Sequence, residues 1–293
     1  MNNIKLVERT YTERTYKANE IAAFRKTAEL FGGLSNMAPG YPIKVNGMAI
    51  LTTEALYQAC RFPHMPEVQK RILRERSPMT AKMIGKPFRS QSRPDFEQVK
   101  VDIMRWCLRI KLAQNFISFG KLLESTGTLP IVEDSHKDAF WGATRDKQDP
   151  SILKGVNALG RLLMELRQQY FDSRYSCKTF QVDTLNIPDF KLLDAEISGV
   201  DERTNFINYV AGQLHVSSKA SSERVVNHIL VSTDNIPLSQ KAEGKPDAIP
   251  TRRKAVAKAN VSELVKESKG LEKTPRKKAQ PKKIEKPLTL FSS

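Results

Sequence analysis

Hydrophobic residues recur at helical spacing through the middle of the chain. Apolar residues on one stripe predict a long helix from about Phe96 to Phe116, and a second stripe predicts an amphipathic helix over residues 155 to 171. Shorter helices are expected at residues 66 to 84, broken at Ser77-Pro78, and at residues 118 to 124. The pattern therefore predicts a fold dominated by helices.

Strand signals are fewer and shorter. Residues 41 to 51 alternate around Asn46-Gly47, a pair that favours a tight hairpin, and LPIVE at residues 129 to 133 also has the pattern of a strand. Thr52 or Thr53 then caps a helix that Pro63 stops. The expected fold class is α+β: a helix-rich single domain with a small β-sheet and a disordered basic C-terminal tail.

Changes in composition divide the chain into four segments. Residues 1–20 form a polar arm, residues 21–173 a globular domain, residues 174–235 an appended element of unknown fold, and residues 236–293 the tail. The appended element is either packed on the main domain or a separate partner-binding piece. Its strand-like stretches are FQVDTL, FKLLDAEI and VVNHILV, and its helix-like stretch is TNFINYVAGQL.

Charge is concentrated at the C-terminus. Residues 241 to 293 contain 15 Lys or Arg and 6 Asp or Glu, so they carry +9 of the formal net charge of +16. Such a proline-containing polycation buries too little apolar surface to fold, and it attracts phosphates through counterion release. The tail is expected to contact nucleic acid, and the alternative is a solvating segment with no single partner.

Several classes of protein lack support in the sequence. Three scattered cysteines and four scattered histidines indicate a reduced, cytoplasmic protein without a local metal cluster, so no cofactor is expected. No apolar stretch approaches the length of a membrane span, so no membrane partner is expected. There is no Walker loop, GxGxxG or GxSxG motif, which removes the support for nucleotide hydrolysis, Rossmann dehydrogenation and serine hydrolysis.

Three residues are candidates for chemistry by type and position. Glu54 follows a Gly-Asn-Pro-rich loop in the first turn of a predicted helix, where a carboxylate either stabilises the helix dipole or serves as a pocket acid. Trp141 either covers the core or stacks on a nucleobase, and Asp138 could accept hydrogen bonds from ribose hydroxyls. Most basic residues of the middle region are expected on the surface, with a few binding phosphate: Arg61, Lys82, Arg89, Arg93, Lys100 and Lys111.

Five ordered segments resemble the NADAR family of N-glycosidases over residues 21 to 171. They are FGGLSNMAPGYPI, TTEALYQACRF, SPMTAKMIG, EDSHKDAFWG and GVNALGRLLMELR. The resemblance implies hydrolysis of N-glycosidic bonds, either in early riboflavin-pathway intermediates or in guanine bases that DarT-type toxins have ADP-ribosylated. It also implies that Glu54 is the catalytic carboxylate, that Asp138 and Trp141 lie in the pocket, and that Asn36 and Asn157 occupy motif positions in a turn and at a helix start.

Three positions depart from the family pattern. Ala55 stands where a His usually follows the motif Glu, Arg61 replaces a Lys, and Phe96 replaces a Trp. Arg61 cannot form a Schiff base with an opened ribose, so a covalent-amine mechanism at that position would be lost. A single carboxylate leaves single displacement and a covalent pathway both open.

The favoured function is an N-glycosidase that removes ADP-ribose from guanine in DNA or RNA, with a cognate toxin as a further partner. Trp141 or Phe96 would stack on the base, and Arg61, Arg89 or Lys100 would bind phosphate. The basic tail favours a nucleic-acid substrate over a small metabolite. The alternatives are a riboflavin-intermediate N-glycosidase and a non-catalytic module that binds ADP-ribose or, through residues 175 to 235, a toxin.

Overall fold

The computed structural model describes residues 11–172 and 177–217, with side chains described as far as Ala211. The predicted tail and the strand-like VVNHILV lie outside the described residues. Within them the prediction of an α+β fold is confirmed. No helix among these residues is both long and apolar enough to cross a bilayer.

The described residues include seven α-helices, and side-chain caps explain where two of them begin. Thr52 Oγ1 accepts a hydrogen bond from Ala55 N at 3.3 Å, which confirms the predicted cap. Ser77 Oγ accepts one from Thr80 N at 3.2 Å, so a new helix starts at the predicted Ser77-Pro78 break. The helices are α1 (Thr53–Ala59), α2 (Pro66–Arg74), α3 (Pro78–Gly85), α4 (Phe96–Gln114), α5 (Phe116–Ser125), α6 (Ala158–Asp172) and α7 (Arg203–Ser217).

The main sheet has five strands in the order β1-β7-β6-β5-β2. Strand β5 pairs in parallel with β2 and β6, while β7 pairs antiparallel with β6 and β1. Its strands are β1 (Arg14–Lys17), β2 (Ala22–Phe24), β5 (Ile131–Ser135), β6 (Ala143–Arg145) and β7 (Ile152–Gly155). Two expectations are corrected: the end of the polar arm is an edge strand, and the last predicted helix starts only after β7.

A separate hairpin consists of β3 (Ile43–Val45) and β4 (Met48–Ile50). Its turn residues, Asn46 and Gly47, have φ values of 48° and 78°, as the two positions of a type I′ turn require. The predicted Asn-Gly hairpin is confirmed. The hairpin leads directly into Thr52 and α1.

The segment after residue 177 packs against the main domain. The ring of Phe190 lies 4.9 Å from that of Trp106 in α4, and the ring of Phe180 lies 5.6 Å from that of Phe116. FQVDTL and FKLLDAEI supply short two-residue strands, namely β8 (Gln181–Val182), β9 (Lys191–Leu192) and β10 (Ala195–Glu196), followed by β11 (Val200–Asp201). Residues 177–211 therefore cover one side of the central helix instead of standing apart.

Candidate active site

A cavity of about 260 Å³ opens where α1, α3, α4 and the end of β5 meet the turn-rich loop of residues 31 to 41. Eight of the nine predicted site residues line it: Asn36, Glu54, Arg61, Arg89, Phe96, Lys100, Asp138 and Trp141. Lining residues that sequence reasoning did not single out are Ser35, Met37, Tyr57, Gln58, Glu97, Met104, Glu133 and Leu159. Segments far apart in the sequence thus converge on one polar cavity.

Glu54 is fixed at the inner end of this cavity. Its backbone N–H donates to Asn36 O at 3.1 Å, which joins the start of α1 to the turn-rich loop, and its side chain is only 6% exposed. Gln58 Nε2 donates to Glu54 Oε1 at 3.0 Å. Burial raises the pKa of Glu54, while the charge of Lys82 and the Gln58 hydrogen bond oppose that rise. Burial is the largest of these influences, so the net effect is a pKa of Glu54 raised above its ordinary value.

Asn36 offers an unused acceptor to a ligand. Its Nδ2 lies 2.8 Å from Met104 Sδ, whereas its Oδ1 is buried and has no hydrogen-bond partner in the described structure. An unsatisfied buried carbonyl costs free energy of about 1–3 kcal/mol, which a ligand donor in the cavity would recover. Asn36 therefore lines the cavity and carries a buried acceptor that no described residue satisfies.

Lys111 holds the loop that carries Asn36, which corrects its expected place among surface or phosphate-binding cations. The side chain is fully buried, and Nζ donates to Gly33 O at 2.8 Å and to Ser35 O at 3.1 Å. The rings of Tyr41 and Phe119 flank the ammonium at 4.5 and 4.2 Å. Burial lowers the pKa of Lys111 to about 7. The residue is a structural clamp.

The DAFWG loop presents both Asp138 and Trp141 to the cavity. Asp138 Oδ1 accepts hydrogen bonds from the N–H groups of Phe140 at 3.1 Å and Trp141 at 2.8 Å, so this carboxylate shapes its own turn. Among the described residues, Oδ2 accepts no hydrogen bond and is available to a ligand. The edge of Trp141 meets Tyr57, with ring centroids 5.7 Å apart. Trp141 is half-buried at the cavity wall.

Asn157 does not line the cavity, and its grouping with the substrate-binding residues is corrected. It is fully buried with φ 52°; its Nδ2 donates to Ile131 O at 2.8 Å, and its Oδ1 accepts from Glu133 N at 3.2 Å. Both ends of the amide are thus used on the backbone of β5. Asn157 acts as a positioning residue that ties the start of α6 to the strand carrying Glu133.

Glu133 is the most informative residue that the sequence did not reveal. Burial raises its pKa to about 7, and the nearby charges of Asp138 and Glu54 add to the rise. A pKa of about 7 leaves the Glu133 carboxyl group partly protonated at neutral pH. A signal was present in LPIVE, where an acidic residue ends a short apolar strand.

The cations of the cavity fall into two groups. Arg61 Nε donates to Ser92 Oγ at 2.7 Å and its guanidinium lies 4.0 Å from the ring centroid of Phe96. Lys100 forms an ion pair with Glu97. Lys82 and Arg89 have no ion pair or side-chain hydrogen bond with any described residue, so they are free to bind an anionic ligand. Arg93 lies outside this cavity and pairs with Asp95.

No group of three or more His, Cys, Asp or Glu side chains within the described ranges is arranged to hold a metal ion. The cavity instead combines the buried carboxyl group of Glu54, a second carboxyl group with a pKa of about 7, an aromatic wall and two cations without an ion pair in the described structure. These groups suit acid–base hydrolysis of a bond to a base in a phosphorylated substrate. The fold is α+β, and the cavity has the groups of an acid–base hydrolase.

Comparisons with known proteins identify the family. The model of the NADAR domain matches residues 23–170, and the chain belongs to the NADAR family. N-glycosidase YbiA from Escherichia coli (strain K12) is 38% identical over 149 residues, which cover 51% of this chain and 88% of the relative. The protein is accordingly an enzyme of the N-glycosidase class, which decides against a purely non-catalytic module.

Two further similarities complete the comparison. A riboflavin biosynthesis protein from Vibrio vulnificus (strain YJ016) is 32% identical over 166 residues, covering 56% of this chain and 42% of the relative. The NMR structure of Escherichia coli YbiA is 33% identical, with a TM-score of 0.46, and the match covers 55% of this chain and 90% of that chain.

Proposed function

We propose that the protein removes ADP-ribose from guanine bases of DNA or RNA in the cytoplasm by hydrolysing the N-glycosidic bond. The observation that carries this proposal is the joint presence, in one cavity, of the carboxyl groups of Glu54 and Glu133, the ring of Trp141 and the unpaired cations Lys82 and Arg89. In this proposal the cations bind the diphosphate, the carboxyl groups act on the ribose and its bond to the base, and the ring of Trp141 stacks on the base.

Glu54 acts at the ribose carbon. Breaking the bond between C1 and nitrogen creates an oxocarbenium-like centre, which the ionised carboxylate stabilises electrostatically. A water molecule then bonds to C1, and Glu54 takes the proton that this water loses. The buried position strengthens the interaction because little solvent screens it.

Glu133 acts at the departing base. Its pKa of about 7 leaves a proton available at neutral pH, and this proton passes to the base nitrogen as the bond to C1 breaks. Solvent returns a proton to Glu133 and removes one from Glu54, so the net reaction consumes one water. Trp141 stacks on the base, and Asp138 Oδ2 accepts hydrogen bonds from ribose hydroxyls.

Lys82 and Arg89 bind the diphosphate, since both lie at the cavity without a competing partner in the described structure. Arg61, held over the ring of Phe96, adds positive charge to the same wall. The sequence gives residues 241–293 a net charge of +9, which supports a polyanionic substrate. Reversal of the modification would make the enzyme an antitoxin to a DarT-type ADP-ribosyltransferase, with that toxin as a possible direct partner.

A second candidate is hydrolysis of phosphoribosylamino intermediates of the riboflavin pathway. Its support is that several relatives are riboflavin biosynthesis proteins, including one from Zea mays that is 34% identical over 168 residues, covering 53% of this chain and 26% of the relative. Such a substrate needs a carboxylate and one phosphate site, which the cavity also provides. It does not use the basic tail.

The test is hydrolysis of a single-stranded oligonucleotide that carries one ADP-ribosylated guanine. Release of free ADP-ribose and restoration of the unmodified oligonucleotide, followed by mass spectrometry, are expected with the intact chain and not with Glu54→Gln. A chain ending at residue 235 keeps the packed residues 177–211 and should lose activity mainly as salt rises. The intact chain leaving the modified oligonucleotide unchanged, while hydrolysing the riboflavin intermediate, would overturn the proposal.

A further inference from the structure

One face of α3 and its flanks carries cations and exposed methionines beside the cavity. Met79 and Met83 are four residues apart and so share one side of α3, while Arg76 lies just before its N-cap and Lys86 at its C-cap. We call this face, together with Lys82 and with Arg89 from the turn that follows, the α3 ridge: Arg76, Met79, Lys82, Met83, Lys86 and Arg89. Lys82 and Arg89 line the cavity, so the ridge is continuous with the candidate active site.

The cations of the α3 ridge form no ion pairs in the described structure, although the charge of Lys82 also acts on Glu54 and Glu133 in the cavity. Residues 76 to 94 contain no Asp or Glu, and none of the four ridge cations forms an ion pair with a described residue. By contrast, Lys70 on the preceding helix pairs with Glu67, and Arg93 beyond the ridge pairs with Asp95. Unpaired positive charge beside a cavity raises the local concentration of polyanions.

The two methionines distinguish the ridge from an ordinary solvated face. Met79 is 55% exposed and Met83 is 49% exposed, between the flanking cations Arg76 and Lys86. Exposed apolar groups set among cations match a ligand that has both phosphates and unstacked apolar faces. Methionine adapts its shape and is common at surfaces that bind varied partners.

We propose that the α3 ridge is the docking surface for the single-stranded nucleic acid that flanks the modified base. Arg76 and Lys86 bind backbone phosphates, and Met79 and Met83 contact unpaired bases. The eight residues of α3 span about 12 Å, the axial length of about three to four nucleotides at about 3.4 Å each. This inference rests on the proposed function, because it assigns the strand on which that function acts.

Salt dependence of oligonucleotide binding tests the ridge directly. The double variant Arg76→Ala/Lys86→Ala of the full chain removes two phosphate contacts, so the slope of log Kd against log salt for an unmodified single-stranded oligonucleotide should become shallower by about 1.4. The matched control is Lys26→Ala/Lys121→Ala, which removes two exposed cations from other elements and should leave the slope unchanged. Met79→Ser/Met83→Ser should weaken binding several-fold with an unchanged slope.

Hydrolysis separates this inference from the proposed function. Arg76→Ala/Lys86→Ala should lower kcat/KM about tenfold for the ADP-ribosylated oligonucleotide and leave that for ADP-ribosylguanosine unchanged. Equal salt slopes for the ridge and control variants would contradict the α3 ridge as a docking surface. Binding of a polyglutamate peptide as tightly as the oligonucleotide would also contradict it. A further outcome is that the intact protein cleaves neither ADP-ribosylated substrate while its ridge variants still show the shallower salt slope. That result would refute the proposed function but support the α3 ridge as a docking surface for single-stranded nucleic acid.

Discussion

Glu54 lines the cavity and Lys86 lies on the adjoining α3 ridge, and these two charged residues have opposite environments. Glu54 is buried, and a backbone bond to Asn36, a hydrogen bond from Gln58 and the charge of Lys82 act on it. Lys86 is exposed and has no ion-pair partner within the described residues. A desolvated and positioned charge can do chemistry alone, whereas an exposed charge contributes a small, salt-screened share of binding. The comparison predicts that substitutions inside the cavity reduce catalysis strongly, whereas substitutions on the α3 ridge reduce binding of nucleic acid only slightly.

The largest effect is expected from Glu54→Gln. The amide keeps the size of the side chain but cannot stabilise positive charge or accept a proton, so kcat should fall by about 10²- to 10⁴-fold. The control is Glu97→Gln, which changes an exposed carboxylate that lines the same cavity. This variant should keep most of the native kcat. Thermal unfolding monitored by circular dichroism should show both variants folded. Comparable losses in the two variants would contradict the special role of the buried carboxylate.

Glu133→Gln should change the pH dependence. In the native protein kcat should fall as pH rises through about 7, because the carboxyl group loses the proton that it gives to the base. The variant should be about a hundredfold slower at pH 6 and should lack this alkaline limb. An alkaline limb that persists in Glu133→Gln would assign the proton to another group.

The same substitution has a consequence for stability with a defined sign. The pKa of Glu133 is raised from 4.5 to about 7 on folding, so the folded state binds more protons than the unfolded state between these values. The free energy of unfolding contributed by this group therefore falls as pH rises from about 4.5 to about 7. Denaturant titrations at both ends of this range should show that Glu133→Gln removes that part of the slope.

A smaller effect is expected from Trp141. Loss of the stacking face in Trp141→Ala should lower kcat/KM on the ADP-ribosylated oligonucleotide by about tenfold or somewhat more, since stacking on one base contributes about 1–3 kcal/mol. Trp141→Phe keeps an aromatic face and should recover most of the loss. If the Phe variant were as impaired as the Ala variant while both remained folded, stacking would not be the function of this ring.

The smallest effect is expected from a single change on the α3 ridge. Lys86→Ala should lower affinity for a single-stranded oligonucleotide by only about two- to threefold at moderate salt, because one exposed cation is one of many phosphate contacts. Fluorescence anisotropy at two salt concentrations measures this. A loss from Lys86→Ala as large as that from Glu54→Gln would erase the distinction between cavity and ridge.

Local signals predicted much of the fold. The Asn46-Gly47 hairpin, the Thr52 cap and the Ser77-Pro78 break each depend on neighbouring residues, and all three are confirmed. The sheet was only partly predicted, because β6 has three residues and β1 pairs with a strand more than 130 positions away. Such short strands gain their stability from partners that the local sequence does not contain.

The candidate site shows the same division. Of the eight cavity residues, Asn36, Glu54, Asp138 and Trp141 were predicted from ordered motifs, Phe96 from its departure from the family pattern, and the cations Arg61, Arg89 and Lys100 from their charge. The pKa of Glu133, by contrast, depends on burial and on charges from two other segments. Asn157 lies at the start of α6, as its motif indicated, but the motif did not reveal that both ends of its amide are bonded to the backbone of β5. Lys111 lay off the apolar stripe of its helix, and only the carbonyl groups of a distant loop explain its burial.

The most direct test of the central claim is a competition in one reaction between two substrates at equal concentration. One is an oligonucleotide with an ADP-ribosylated guanine, and the other is the phosphoribosylamino intermediate of the riboflavin pathway. The ratio of the two initial rates gives the ratio of kcat/KM values. We predict a ratio in favour of the oligonucleotide that narrows as salt increases. A ratio in favour of the small intermediate at every salt concentration would contradict the account.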